Sequence, residues 1–210
     1  MSTLTERFPT SLDVSGSAVP INSDFRTVLR CFEIQGREKT LSPDDLVRML
    51  RLLYKKHPRV FTEAYVERMF WFLECGRGSD GNGKMFPRRA AGINNKQPFD
   101  FEEDADLIYA GFLQQYGIDL QESDMHWWKF MILLENLGNG TRLSRIMEFR
   151  TIDTKQKGLS KEQRRFYEAM QRYYGLDVLR IPEMTEQDKL VEEALLNGGD
   201  VSKILAGDKD

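Results

Sequence analysis

The sequence predicts a mainly α protein: a compact multi-helix domain with a small N-terminal β-hairpin and a C-terminal amphipathic helical tail. Apolar residues that recur with a period of about 3.6 residues predict the helices, and capping residues precede most of these runs. Two short β-forming segments flanking a Ser-Gly bend predict the hairpin. Apolar residues make up 40% of the chain and aromatic residues 11%, so the chain can bury a core.

The hairpin is predicted from residues 12–14 and 18–21, with its bend at Ser15-Gly16. Glycine at a tight bend between β-forming residues is typical of such turns. Pro20 lacks an amide donor, so we expect the second arm to be an edge strand.

Three helices are predicted in the N-terminal half of the chain. The residues that precede them and can cap them are Asn22 or Ser23, then Ser42, then Thr62. Pro43 suits the first turn of the second helix, and Gly36 and Gly76 are expected to end the first and the third. The apolar faces are, in order, Phe25, Val28, Leu29 and Phe32; Leu46, Met49, Leu50 and Leu53; Val66, Met69, Phe70, Leu73 and Cys75.

Four more helices are predicted between residues 100 and 175. The residues expected to precede or cap them are Asp100, Ser123, Thr141 and Ser160. Glu103 and Gln163 lie three residues after two of these caps, which is the spacing of a capping box. The apolar faces are Leu107, Ile108, Phe112 and Tyr116; Trp127, Phe130, Met131 and Leu134; Leu143, Ile146 and Met147; Phe166, Met170 and Tyr173.

Residues 76–98 have a different composition, with five glycines, two prolines, and five Lys or Arg against one Asp. This composition predicts a mobile basic loop over about residues 77–97. Its DGNGK stretch resembles the start of a calcium loop, but the later acidic ligands are absent. The sequence therefore predicts a connector here, and no metal or cofactor.

The length of 210 residues suits one domain with an appendage. We expect residues 1–176 to form the helical domain and residues 177–210 to form the C-terminal extension. The extension has a polar stretch after Pro182 and then an amphipathic run, whose apolar face is Leu190, Val191 and Leu195. We expect this run to be a detachable helix that docks on a partner or on another copy.

Net charge and hydropathy exclude several classes of protein. The net charge of −3 argues against a protein whose main task is to coat nucleic acid. The N-terminal residues lack the pattern of a secretory signal, and no stretch has the roughly 18 apolar residues of a membrane span. We therefore expect a cytoplasmic protein, in which Cys31 and Cys75 are buried as small apolar residues.

The residues do not form a recognisable catalytic or metal-binding constellation. Of the two histidines, His57 precedes a proline at a helix end and His126 precedes two tryptophans, so we expect capping or core-edge roles for both. Cys75 and His126 lack the paired spacing of a zinc site. Five carboxylates crowd the start of the predicted fourth helix, where we expect them to be solvated: Asp100, Glu102, Glu103, Asp104 and Asp106.

Trp127 and Trp128 are the most conspicuous pair in the chain. Adjacent helical residues point about 100° apart, so we expect one ring to enter the core and the other to cover a flank or meet a partner. Stacking on single-stranded nucleic acid is the alternative, but core packing is far more common for tryptophan.

Several segments resemble a known family. They are residues 99–120 (FDFEEDADLIYAGFLQQYGIDL), 126–130 (HWWKF), 146–153 (IMEFRTID), 20–26 (PINSDFR) and 71–76 (WFLECG). In this order they resemble the bacteriophage gene-product-fifteen family of siphophages. The resemblance covers roughly residues 8–176 and departs after Gly76 and after Leu176.

The resemblance implies a non-enzymatic tail-assembly chaperone. Such a protein binds the tape-measure protein during assembly of the long tail, possesses no known catalytic residues, and is left out of the virion. The major tail protein is a second expected partner, and coating a rod implies a homo-oligomer. A structural tail or connector protein that stays in the virion is the alternative.

Charge is segregated along the chain, since residues 99–124 hold eight acids and no base, and residues 125–176 hold ten bases and five acids. Three kinds of residue are candidates for protein interaction: charged residues of the acidic and basic segments, the tryptophan pair, and the apolar face of the tail. They are Asp100, Glu103, Asp106, Trp127, Trp128, Arg142, Arg145, Arg150, Leu190, Val191 and Leu195. We expect either that the acidic surface of one subunit meets the basic surface of the next, or that both patches are solvated faces only. A further alternative is a small nucleic-acid-binding module that uses the basic residues Arg142, Arg145, Arg150, Lys155, Lys157, Arg164 and Arg165.

Overall fold

The computed structural model describes residues 4–35, 41–77 and 98–176. The chain divides after Tyr174 into two units, and every helix and strand of the described residues belongs to the first. The basic loop expected over residues 77–97 lies outside the described residues apart from Arg77, and so does the helix of the tail. The domain boundary after residue 176 stays a prediction.

The expected mainly α fold with one N-terminal hairpin is confirmed. The described residues form seven helices and two strands. The elements are β1 (Ser11–Val14), β2 (Ser17–Pro20), α1 (Phe25–Gln35), α2 (Pro43–Leu53), α3 (Glu63–Leu73), α4 (Ala105–Tyr116), α5 (Trp127–Glu135), α6 (Arg142–Thr151) and α7 (Lys161–Tyr174).

The hairpin pairs β1 with β2 antiparallel, in the register from Ser11 opposite Pro20 to Val14 opposite Ser17. The amide of Gly16 donates a hydrogen bond of 2.8 Å to Oδ1 of Asp13 and closes the turn. Alternate side chains point inward, so the hairpin places one apolar face on the core.

An aromatic cluster occupies the centre of the core. The ring of Phe130 on α5 stacks on Phe25 of α1 at 4.7 Å and on Phe112 of α4 at 5.1 Å between centroids. Trp127, in the same helix, stacks on Phe130 at 5.7 Å between centroids. Offset and stacked rings at these separations add to the burial of apolar surface. Phe130 therefore joins three helices from both halves of the sequence.

Local capping was predicted correctly at three helices. Ser42 accepts from the amide of Asp45, and Thr141 accepts from the amide of Ser144. Ser160 forms the predicted capping box, because its hydroxyl accepts from the amide of Gln163 while the Gln163 side chain accepts from the Ser160 amide. Such bonds satisfy amides that the helix itself leaves without partners.

The start of α1 differs from the prediction. Its first turn is capped by Asp24, whose Oδ1 accepts a hydrogen bond of 2.9 Å from the amide of Arg26, and not by Asn22 or Ser23. The reason is tertiary: Ile21 pairs with Tyr54 as an isolated bridge, and the Asn22 side chain donates to the carbonyl of Leu52. The chain is thus held extended until it reaches Asp24.

Two further helix starts differ from the prediction. Helix α4 begins at Ala105 because residues 101–104 form turns, in which Oδ1 of Asp100 accepts from the amides of Glu102 and Glu103. Helix α5 begins after His126, not directly after Ser123.

The expected burial of both cysteines is wrong for one of them, because Cys75 lies in the turn after α3, at φ +56°, and is half-buried. Cys31 is fully buried as expected, and burial raises the pKa of its thiol to about 12.

Candidate interaction surface

Trp127 and Trp128 both lie in the interior, with 1% and 6% of their surfaces exposed. The expectation that one of the two rings remains at a flank is therefore wrong. The indole Nε1 of Trp127 donates to the carbonyl of Leu73 at 3.0 Å, and that of Trp128 donates to the carbonyl of Phe72 at 2.9 Å. The last carbonyls of a helix lack partners within the helix, so the two indoles cap the end of α3. Both rings therefore stabilise the fold as buried side chains.

His126 is the N-terminal cap of α5. Its Nδ1 accepts from the amide of Trp128 at 3.0 Å, so the ring proton resides on Nε2, which donates to the carbonyl of Pro9 at 3.0 Å. Burial lowers the pKa of the imidazole, and the bond to Pro9 opposes that effect. This environment favours a neutral ring that fixes a helix start, as the expected capping role requires. His57, the other histidine, bonds to the carbonyl of Arg51 near the end of α2.

Asp104 and Arg150 form a buried ion pair between the start of α4 and the end of α6. The distances are 2.6 Å from Nη1 to Oδ2 and 3.0 Å from Nη2 to Oδ1, with 3% of the Asp104 side chain and 8% of the Arg150 side chain exposed. Arg150 also donates to the carbonyls of Pro98 and Tyr174. The expectation that Asp104 is solvated is wrong, because it meets an arginine from a distant part of the sequence.

The structure separates the candidate residues into three groups. Trp127, Trp128 and Arg150 are buried and hydrogen-bonded within the chain. At the surface lie Glu103, Asp106, Arg142 and Arg145, which are exposed, and Asp100, which is half-buried. Outside the described residues are Leu190, Val191 and Leu195. Only the second group presents side chains on the described surface, and no contact in the structure tests its role in binding.

Helix α7 exposes part of the apolar side that the sequence predicts for it. The apolar side predicted for this helix includes Phe166 and Tyr173, which are 51% and 72% exposed. No residue of the helix is buried. Helix α7 packs on α6 around Phe149, whose ring centroid lies 5.9 Å from that of Phe166, 6.4 Å from that of Tyr167 and 6.0 Å from that of Tyr174. Phe166 therefore lies half exposed at the margin of the α6–α7 contact, and Tyr173 projects further into solvent.

Cations border this exposed aromatic side. Lys161, Arg165 and Arg172 project from one side of α7, next to the side that bears Phe166 and Tyr173. All three are exposed, and none forms an ion pair with any residue in the described ranges. We call Lys161, Arg165, Phe166, Arg172 and Tyr173 the α7 face.

A second surface lies on α4. Asp106, Tyr109, Ala110 and Leu113 follow the spacing i, i+3, i+4, i+7 and so share one side of the helix; we call them the α4 face. Leu113 is 46% exposed. Partial burial, a hydrogen bond to Asp119, and the charges of Asp119 and Glu122 raise the pKa of Tyr109. The α4 face is therefore acidic around an apolar strip.

The described parts of the chain contain neither a cluster of metal ligands nor a membrane-spanning helix. In residues 4–35, 41–77 and 98–176, no three His, Cys, Asp or Glu residues come together as metal ligands would. Within the same ranges, no helix combines the length and apolar character needed to cross a membrane.

The family assignment follows from comparison with known proteins. The model of the family described as bacteriophage Gp15 protein matches residues 4–176. The chain belongs to this family. The match includes every described helix and confirms the resemblance inferred from the sequence segments. It makes the chain a bacteriophage protein of the structural or morphogenesis class. No curated protein and no solved structure matches the chain.

Proposed function

We propose that this Gp15-family protein is a tail-assembly chaperone that binds the tape-measure protein during morphogenesis of a long phage tail. It acts by binding alone, without catalysing a reaction. In this proposal the protein works in the host cytoplasm, contacts the major tail protein as a second partner, and is absent from the mature virion.

The observation that carries the proposal is the match to the bacteriophage Gp15 family over residues 4–176. The exposed α7 face adds physical support, since a chaperone of a long helical protein needs an accessible apolar surface. Phe166 and Tyr173 lie about two helical turns apart, so an amphipathic helix laid along α7 would contact both. The cations beside them would favour a partner with acidic flanks.

Co-expression with the tape-measure protein of the same phage tests the proposal. We expect the tape-measure protein to be soluble and to co-purify with the wild-type chain. The variant Tyr173→Ser should lose much of this binding and should keep its thermal transition, because Tyr173 is 72% exposed and its ring contact is with its neighbour Tyr174. Val60→Ser is the matched control, since Val60 is 74% exposed but lies between α2 and α3. Equal co-purification of all three proteins would exclude the α7 face as the binding site.

Mass spectrometry of purified virions separates this proposal from a structural tail or connector protein. A chaperone should be absent from the particle, whereas a structural component should be present in stoichiometric amounts. Stoichiometric recovery of the chain from virions would replace the chaperone proposal with the structural one.

A nucleic-acid-binding role has less support than the sequence indicated. Arg150, one of its seven expected basic residues, is engaged with Asp104 in the interior. The six remaining residues are exposed: Arg142, Arg145, Lys155, Lys157, Arg164 and Arg165. Gel-shift titration over a range of salt concentrations tests this role, since phosphate contacts give a steep loss of affinity with salt.

A further inference from the structure

The α7 face and the α4 face are complementary in both of their components. Each is one side of a surface helix with an apolar strip: Phe166 and Tyr173 on α7, and Ala110 and Leu113 on α4. Cations outnumber acids beside the α7 strip, where Lys161, Arg165 and Arg172 accompany Glu162 and Glu168, whereas the border of the α4 strip is acidic, with Asp106 and Glu122. Apolar contact with complementary charge is the combination that gives a specific interface.

The two faces remain accessible in a single chain. Helix α6 packs against both α4 and α7, so α7 contacts the body of the unit through α6. Asp106, Arg165 and Arg172 make no ion pair with any residue that the structure describes. Leu113, Phe166 and Tyr173 keep about half or more of their surfaces exposed. The complementary surfaces are therefore available to another molecule.

We propose that the α7 face of one copy docks on the α4 face of a second copy. Both halves of this contact are present on every chain, so the occupant of the α7 face need not be a different protein. The alternative symmetric contact of α7 with α7 would bring the cations of both copies together, which like-charge repulsion disfavours. The contact joins different surfaces, so each copy still offers one face of each kind, and association continues into a ring or an open helix.

This proposal goes beyond the proposed function and does not depend on it. Self-association is measured on the purified 210-residue protein alone, whereas the chaperone proposal requires the tape-measure protein. A self-association surface on α7 and a tape-measure surface on α7 would compete, and adding the tape-measure protein should then shorten the oligomer. Either proposal can fail without the other.

Sedimentation velocity over a concentration series is the first test. We expect species larger than dimers that grow with protein concentration and shrink as salt rises, since exposed charges are screened over about 8 Å at physiological ionic strength. Arg165→Glu/Arg172→Glu and Asp106→Lys/Glu122→Lys should each weaken self-association at least about tenfold, because each places like charges opposite one another. Lys55→Glu/Lys56→Glu is the matched control: it reverses two exposed cations beyond the end of α2.

Mixing the two charge-reversed variants decides the geometry. Each variant alone opposes like charges, whereas both contacts between unlike variants pair opposite charges: the unaltered α7 face with the unaltered α4 face, and the reversed α7 face with the reversed α4 face. The mixture should therefore regain the association that each variant loses on its own. A symmetric α7 contact would leave Asp106→Lys/Glu122→Lys associating alone as a dimer. That result, or a wild-type monomer at every protein and salt concentration, would overturn the proposal.

Discussion

Asp104 and Arg150, 46 residues apart in the sequence, lock the start of α4 to the end of α6 through two hydrogen bonds of 2.6 and 3.0 Å. Charge-assisted bidentate pairs of this kind are strong and directional. Two further N–H groups of Arg150 donate to the carbonyls of Pro98 and Tyr174, so the guanidinium also fixes the backbone at the last residue of α7. The acidic and basic halves of the sequence thus meet inside one chain at this point.

The substitution Asp104→Ala should destabilise the fold by about 3–5 kcal/mol, because it leaves the Arg150 guanidinium buried without its counter-charge. Urea denaturation measures the free energy of unfolding. Asp106→Ala is the control, since it removes an exposed carboxylate from the same helix and should change stability by about 0.5 kcal/mol at most. Similar stabilities for the two variants would show that the pair does not hold α4 to α6.

The sequence allowed prediction of the features that depend on neighbouring residues. Ser42, Thr141 and Ser160 cap their helices because the hydroxyl and the amide it binds are three residues apart. The hairpin likewise follows from its bend and flanking β-forming residues. Such short-range geometry is encoded locally, so a pattern in one sequence is sufficient.

Features that depend on residues distant in sequence could not be predicted in this way. Asp104 was expected among solvated carboxylates, since only the folded chain brings Arg150 to it. Trp127 and Trp128 are both buried because the carbonyls at the end of α3 accept their indole protons. Phe166 remains half exposed because its ring meets α6 edge-on at Phe149, at the margin of the helix pair. Each outcome was decided by a tertiary contact.

When each tryptophan is replaced by phenylalanine, the loss in free energy of unfolding should follow an order set by the indole hydrogen bonds. Trp127→Phe should cost the most, because the carbonyl of Leu73 then loses its donor in the interior, a loss of about 1–3 kcal/mol beyond the change in packing. Trp128→Phe should cost less, since the carbonyl of Phe72 also accepts from the amide of Cys75.

Trp71→Phe is the matched control for this series. Trp71 is half-buried, packs edge-on against Trp128, and forms no indole hydrogen bond with a residue that the structure describes. Its replacement by phenylalanine should therefore cost least. Chemical denaturation followed by far-ultraviolet circular dichroism gives the three free energies without relying on tryptophan fluorescence. If Trp71→Phe were the most destabilising, the hydrogen bonds would not explain the burial of the pair.

His126 should make stability depend on pH below its ordinary pKa of about 6.5. Burial lowers the pKa in the folded protein, so the unfolded chain binds a proton at a higher pH than the folded chain does. Stability from this group is therefore fully present above about pH 6.5 and is lost as pH falls towards the folded pKa. Protonation of Nδ1 would also remove the acceptor that caps α5.

The variant His126→Asn tests this dependence, because asparagine can cap a helix but has no titrating group in this range. Free energies of unfolding measured between pH 5.5 and 8 should fall towards acid in the wild type, and the variant should show a smaller slope. Equal slopes in the two proteins would assign the pH dependence to other groups.

Gly76 should tolerate no larger residue, because two aromatic rings approach its backbone. A Cβ atom at this position would lie 2.8 Å from Cη2 of Trp128 and 3.0 Å from Cζ2 of Trp71, and its φ is +71°. Gly76→Ala therefore combines a left-handed backbone strain of about 1–2 kcal/mol with displacement of a buried indole. Gly117→Ala provides the control, since Gly117 has a similar φ of +64° and nothing within 4 Å of the added Cβ. Thermal and urea denaturation should show Gly76→Ala as the less stable variant by at least about 1 kcal/mol, which is the contribution of the clash alone. Equal losses in the two variants would mean that Trp128 can shift freely, in conflict with its hydrogen bond to the end of α3.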